Sequence, residues 1–125
     1  MFNKKNFVVV TNNDHAYARF EKEAEEIIYL ENYIDVLKKS RDLIYSGYKL
    51  LATPQASGLK PNQTPYRTIL LEISSGKAES RSVQLIEKAI ESFGKWQEIR
   101  KTPTYSKEVD EDFKTIDISM IDNVV

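Results

Sequence analysis

Phe7-Val8-Val9-Val10-Thr11-Asn12-Asn13-Asp14 is the stretch on which the fold turns. A nearly continuous, β-branched apolar run that stops at short polar residues reads as a buried strand ending in a polar turn. Downstream, Ala16, Tyr17, Phe20 and Ala24 recur at spacings of three and four between His15 and Glu25, the pattern of a short amphipathic helix. Ile27-Ile28-Tyr29-Leu30, flanked by Glu26 and Glu31, is too brief for a helix and reads as a second strand. From Tyr33 the period becomes helical, with Val36, Leu37, Ser40, Leu43, Ile44 and Gly47 on one face. Asn32 is placed to cap this helix, Asp35 complements its dipole, and Gly47 suits a left-handed stop.

Tyr48 to Ala52 and Thr68 to Ile73 read as third and fourth strands, the latter closed by Ser74-Ser75-Gly76. Val83, Ile86, Ala89, Ile90, Phe93 and Trp96 then mark a long helix to about Arg100, stopped at Thr102-Pro103. Ile116, Ile118 and Met120 alternate with Asp117 and Ser119, which predicts a last strand at a sheet edge or on a partner subunit. Alternating strands and helices predict an α/β fold: a single three-layer domain with a mainly parallel, Rossmann-like or flavodoxin-like sheet of four to five strands. The expected division is an α/β domain over 1–102 and an acidic C-terminal extension over 103–125. The first carries 16 basic and 13 acidic residues, the second 2 and 6.

Composition bounds the chemistry. The 125 residues, 41% hydrophobic and 30% charged, suit one globular domain. Without cysteine there is no disulfide, thiolate metal site or thiol nucleophile, and one histidine cannot build a multi-histidine cage. A carboxylate-only Mg²⁺ or Ca²⁺ site is the remaining metal option, and no cofactor motif is present. A net charge of −1 argues against nucleic acid, and no apolar run approaches a membrane span. After Met1 to Asn6 the apolar run before Thr11 is only four residues long, Phe7 to Val10, too short for a signal segment, so the expected location is cytoplasmic.

Ligands of open α/β sheets bind beyond the carboxyl ends of strands. Two segments fit that place. Thr11-Asn12-Asn13-Asp14 could hold an anion or polar molecule, or serve as an ordinary turn; it lacks both the dinucleotide fingerprint and a P-loop. The second is the loop Thr53 to Arg67, with three of the four prolines, Ser57, Gly58, Asn62, Thr64 and Tyr66, and the cations Lys60 and Arg67. It reads either as a ligand loop or as cover for a sheet edge. His15 reads as solvated or capping rather than as a base. Glu108, Asp110, Glu111 and Asp112 read as solvated charge, and Phe93 and Trp96 as core packing.

The run Tyr33-Ile34-Asp35-Val36-Leu37-Lys38-Lys39-Ser40-Arg41-Asp42-Leu43-Ile44, then Gly47-Tyr48-Lys49-Leu50-Leu51, Ser57-Gly58 and Lys60-Pro61-Asn62-Gln63-Thr64-Pro65-Tyr66, resembles the GrdX family. With Thr11-Asn12-Asn13, the resemblance spans about residues 7–95, and its most specific part is K-P-N-x-T-P-Y; the acidic tail is outside it. These small proteins are encoded beside components of glycine, sarcosine and betaine reductases in amino-acid-fermenting anaerobes. The resemblance implies an accessory to a selenium-dependent reductase system that yields acetyl phosphate, with reductase subunits as partners. It supplies no catalytic residues, and a chain without cysteine cannot join the system's thiol and selenol exchange.

The residues favour a binding module whose rim, 11–14 with 53–67, holds a small polar or anionic ligand or a reductase subunit. Lys60 or Arg67 would neutralise the anion, while Asn62, Thr64 and Tyr66 orient it. The alternatives are an enzyme, independent of cysteine and metal, acting on an acyl- or phosphoryl-activated small molecule, and an assembly protein dimerising through its C-terminal strand.

Overall fold

The computed structural model describes residues 5–55 and 59–125. Four strands, β1 (Lys5–Thr11), β2 (Ala24–Tyr29), β3 (Lys49–Leu50) and β4 (Thr68–Glu72), form one sheet in the order β2-β1-β4-β3. Four helices are α1 (His15–Phe20), α2 (Tyr33–Tyr45), α3 (Ser80–Ile99) and α4 (Lys107–Ser119).

The apolar run in β1 is buried on both faces, and the strand period of two divides it. Val8 and Val10, with Ile69 and Leu71 of β4, meet Val36, Leu37 and Ile44 of α2 and Ile86 and Ala89 of α3. Phe7 and Val9, with Leu70, meet Ala16 and Phe20 of α1 and Ile121 beyond α4. Helices therefore cover both faces. Each fully buried large apolar side chain contributes roughly 1.5–3 kcal/mol, so this central strand is the main hydrophobic anchor of the fold.

The sheet is mixed, not mainly parallel. β1 and β2 pair in parallel, joined by α1, but β4 runs antiparallel to both β1 and β3. The cause is the connection between β3 and β4. Its described residues form no helix across a face of the sheet, and the chain re-enters beside the end of β1 in the opposite direction. That direction brings the start of β4 beside the end of β1, with Thr11 opposite Thr68.

Gly47 stops α2 as its type suggests. Its φ is +115°, its amide donates to Ile44 O at 3.0 Å, and Tyr48 N–H reaches Leu43 O at 3.0 Å, the double closure of a helix ended by a left-handed residue. Helix α1 is shorter than its pattern suggests, ending at Phe20, and β2 begins earlier, at Ala24.

The expected strand over Ile116 to Met120 is not formed: these residues belong to α4 and the turn that follows it. Ser106 Oγ accepts from Val109 N–H at 3.4 Å, and Glu108 and Asp110 lie in the first turn. The start of α4 thus satisfies helix chemistry that the alternating apolar residues hid. Among the described residues no helix is long and apolar enough to cross a membrane.

Candidate functional site

The rim at the end of β1 and the start of β4 divides into a closed half and an open half. In the closed half, Asn13 N–H donates to Thr11 Oγ1 at 2.9 Å, and the Thr11 and Thr68 hydroxyls lie 2.7 Å apart. The Thr68 hydroxyl donates to Asp117 Oδ2 at 2.6 Å, so the Thr11 hydroxyl is left to donate to Thr68. Asp117, 2% exposed, also accepts from Thr68 N–H at 3.1 Å and from Asn13 Nδ2 at 3.0 Å. A carboxylate of the chain's own helix α4 thus stands at the β1 turn, which the sequence reading left open to an external anion, a polar molecule or an ordinary turn. Asn13 completes its bonding through Nδ2 to Lys114 O (2.9 Å) and by accepting His15 N–H (3.0 Å), which caps α1.

Around this core, α4 is tied down by charge. Lys114 Nζ lies 3.1 Å from Asp14 and 3.3 Å from Glu111, and over the Tyr66 ring. His15 Nε2 meets Glu111 at 2.9 Å, Tyr66 Oη donates to Asp110 at 2.6 Å, and Arg19 pairs with Asp122. Burial first, and then the Asp110 carboxylate, push the Tyr66 hydroxyl well above its ordinary range; the hydrogen bond from Lys114 holds Asp14 below the usual carboxylate value. Asp110 and Glu111 therefore work as latches rather than as free solvated charge, whereas Glu108 and Asp112 are exposed.

The K-P-N-x-T-P-Y segment resolves into stitches to α3, to the end of β1 and to α4. Lys60 Nζ sits 4.8 Å from the Trp96 ring centre, and Asn62 Nδ2 donates to Trp96 O (3.2 Å) and Arg100 O (2.9 Å), closing the end of α3. Buried Thr64 accepts Tyr66 N–H at 3.3 Å in a local turn. Pro65 O accepts from Asn12 Nδ2 at 2.8 Å, while Asn12 Oδ1 accepts Arg67 N–H at 2.9 Å. Ser57 and Gly58 lie outside the described residues.

Two of the expected site cations end in different places. Lys60 borders a hollow of about 400 Å³ with Trp96, Arg100 and Tyr105. Trp96 is half-buried at that hollow rather than in the core. Arg67 is 2% exposed, beneath the first turn of α2: its Nε donates to Tyr33 Oη at 3.3 Å, and its guanidinium carbon lies 5.7 Å from the Tyr33 ring centre. Its Nη2 is buried with no hydrogen-bond partner, and among the described residues no carboxylate pairs with it. Such a charge is costly, by several kcal/mol for an ion without its partner.

The open half of the rim is a cleft of about 420 Å³ whose lining includes Asn12 and Tyr33, the two residues that hydrogen-bond Arg67; Arg67 itself is buried and does not line it. Asn12, Thr64 and Pro65 form the wall on the Arg67 side, and Glu31, Asn32, Tyr33 and Ile34 the start of α2. Phe93, stacked on Tyr33 with ring centres 5.0 Å apart, and Gln97, Thr102 and Pro103 close it. Asn32 stands at the N-cap of α2, but its Nδ2 turns to Asp35 Oδ2 (3.1 Å) and no side chain caps the first-turn amides. Those amides lie at the α2 end of the cleft, where Glu31 is the charged side chain of its lining.

Of the residues singled out in the sequence, Asn12 and Thr64 line the cleft, and Arg67 is buried against Asn12 and Tyr33 of its wall. Thr11 is taken up by Thr68 and the Asn13 backbone, Asn13 by Asp117, Asn62 by α3 and Tyr66 by α4. Sequence reasoning missed Asn32, Tyr33 and Phe93 as site residues, because helical periodicity assigned Tyr33 and Phe93 to packing and Asn32 to a cap. Their position just past the end of β2 was the available signal. Among the described residues no group of three or more His, Asp or Glu side chains is placed to hold a metal ion.

No curated protein and no solved structure matches the chain. A family described as GrdX-like protein matches residues 8–125, which extends the likeness through the acidic tail and α4. With nearly its whole length matched, the chain belongs to the GrdX-like protein family.

Proposed function

We propose that this chain is a binding protein for a small anionic ligand, held in the cleft between α2 and the 59–67 segment, with the Arg67 guanidinium, buried against Asn12 and Tyr33 of the cleft wall, as the counter-charge. Membership of the family supports reading it as an accessory of a glycine, sarcosine or betaine reductase system; that setting rests on the family alone. The observation that carries the ligand reading is the buried Arg67 guanidinium, which has one hydrogen bond, an unpartnered Nη2 and no carboxylate. A folded protein keeps such a charge at a cost unless an anion offsets it. The uncapped start of α2 beside it supports the same sign of ligand. Lys60, placed over Trp96, has no part in this cleft.

A thermal-shift series of small anions at constant ionic strength tests the reading. The melting temperature of the native protein should rise by several degrees at about 100 Kd of a binding anion, from roughly 2.7 kcal/mol of linkage. Arg67→Met should abolish the response and Arg67→Lys should retain part of it. A flat response from the native protein, or an equal response from Arg67→Met, would overturn the reading.

A further inference from the structure

The hollow at the end of α3 and the outward face of α4 carry opposite charge, and neither set of charged groups belongs to the anion cleft. We propose that they are the two halves of one interface, through which two copies of this chain associate about a two-fold axis, the hollow of each copy taking the α4 face of the other.

The hollow is cationic. Trp96, Ile99, Pro103 and Tyr105 supply its apolar surface, and Lys60 and Arg100 are the charged side chains of its lining. Its amide and phenol groups are engaged within the chain: Asn62 Nδ2 donates to Trp96 O and Arg100 O, Gln63 Oε1 accepts Lys60 N–H at 2.7 Å, and Tyr105 Oη donates to Gln63 O at 2.7 Å. The carbonyls at the end of α3, which would repel an acidic group, are thereby covered. Among the described residues neither cation pairs with a carboxylate. Ile99, 63% exposed, stands beside them as a large apolar side chain open to water.

The α4 face is the complement. Glu108 and Asp112 are exposed on the side of the helix opposite buried Asp117, and among the described residues neither has an ion-pair partner. Val109 and Ile116, each 39% exposed, give this acidic face an apolar flank. Two carboxylates thus answer two cations, and the apolar flank answers Trp96 and Ile99, the combination of apolar contact and charged rim on which protein interfaces rely.

Adjacency makes a second copy the occupant. Tyr105 lines the hollow, and its ring lies against Phe113 of α4 with centres 4.7 Å apart. Val109, Phe113 and Ile116 follow at spacings of four and three along one flank of that helix. Adjoining surfaces that complement each other are both satisfied at once across a two-fold axis, and such a contact closes as a dimer instead of growing into a filament.

Sedimentation equilibrium of the full chain tests this, with the emission of Trp96, the single tryptophan, as a second reading. The expected result is a monomer–dimer equilibrium that weakens at least about tenfold between about 0.05 and about 0.5 M NaCl, where attraction between exposed charges is screened. Trp96 emission should move to the blue as the dimer forms. Lys60→Glu with Arg100→Glu in one chain, and Glu108→Lys with Asp112→Lys in another, should each give a monomer that melts within a few degrees of the native protein, because all four side chains are exposed. Mixed one to one, the two variants should dimerise, since every charged contact between them is again of opposite sign; a folding defect would not produce that rescue. A native chain that stays monomeric up to about 1 mM, a dimer indifferent to salt and to both reversals, or a mixture that stays monomeric would overturn the proposal. If the native chain stays monomeric and Trp96 emission moves only when poly-glutamate is added, the hollow takes an acidic segment of another protein and self-association is refuted.

Discussion

Replacing Asp117 by alanine tests how α4 is held. In the native protein this carboxylate accepts three hydrogen bonds, from Thr68 N–H, Thr68 Oγ1 and Asn13 Nδ2. After substitution, the Thr68 hydroxyl keeps its Thr11 partner and Asn13 Nδ2 keeps Lys114 O. Only Thr68 N–H is left buried and unpaired, at about 1–3 kcal/mol, and the charge-assisted bonds to the other two donors are lost at about 1.5 kcal/mol each before relief of carboxylate desolvation. Offsetting that relief, the net cost is about 3–4 kcal/mol, which lowers the melting temperature of a chain this long by roughly 10–15 °C. Asp117→Asn keeps the shape but sets an NH₂ against Asn13 Nδ2, and should cost about half as much. Thermal denaturation gives the stability, and tryptic cleavage at Lys107 and Lys114 follows the release of α4. An Asp117→Ala melting point within about 2 °C of the native one, with unchanged cleavage, would show that α4 is held by something other than this carboxylate.

Other consequences are accessible to the same material. Gly47→Ala should cost about 2–3 kcal/mol in denaturant unfolding, because φ is +115° and a Cβ would lie 2.8 Å from backbone atoms of Ser75, which have no side-chain freedom to yield. Arg67→Met should fold and, in the absence of ligand, melt no lower than the native protein, since an apolar side chain replaces an unpaired buried charge; a large loss of stability would mean that the guanidinium is structurally satisfied. Lys60→Ala should leave anion affinity within about twofold of native, because Lys60 borders the hollow at Trp96. Tyr66 should ionise well above free tyrosine in an ultraviolet absorbance titration. Its raised value means that this stabilisation is complete below the ordinary tyrosine range and is lost as pH climbs through the folded-state value; Tyr66→Phe should remove that alkaline dependence.

Much of the fold was legible because its strongest signals are local. β1, α2, β4 and α3 follow from apolar runs and helical period, and Gly47 from its freedom at positive φ. The direction of β4 was not legible, since nothing in the Thr53 to Arg67 loop says whether it crosses a face or turns back along the rim. The tail misled because the inward face of α4 carries Asp117, a polar residue, four positions before Ile121, while half-exposed Ile116 and Ile118 imitate a strand. For the site, the rim and the loop were found by position, yet which of their polar residues were free was set by tertiary partners. Asn13 and Tyr66 were taken by α4, Asn62 by α3, and Arg67 alone was left as a buried cation without an anion.

The side-chain Nε–H resonance of Arg67, assigned by its disappearance in Arg67→Lys, is the most direct probe of the account. Titration of a small anion that raises the melting temperature into ¹⁵N-labelled protein should move that resonance along a saturable curve, together with the amides of Tyr33 and Ile34, while the side-chain NH₂ signals of Asn62 stay in place. An Arg67 signal that does not move at ligand concentrations that saturate any other group would contradict the anion site.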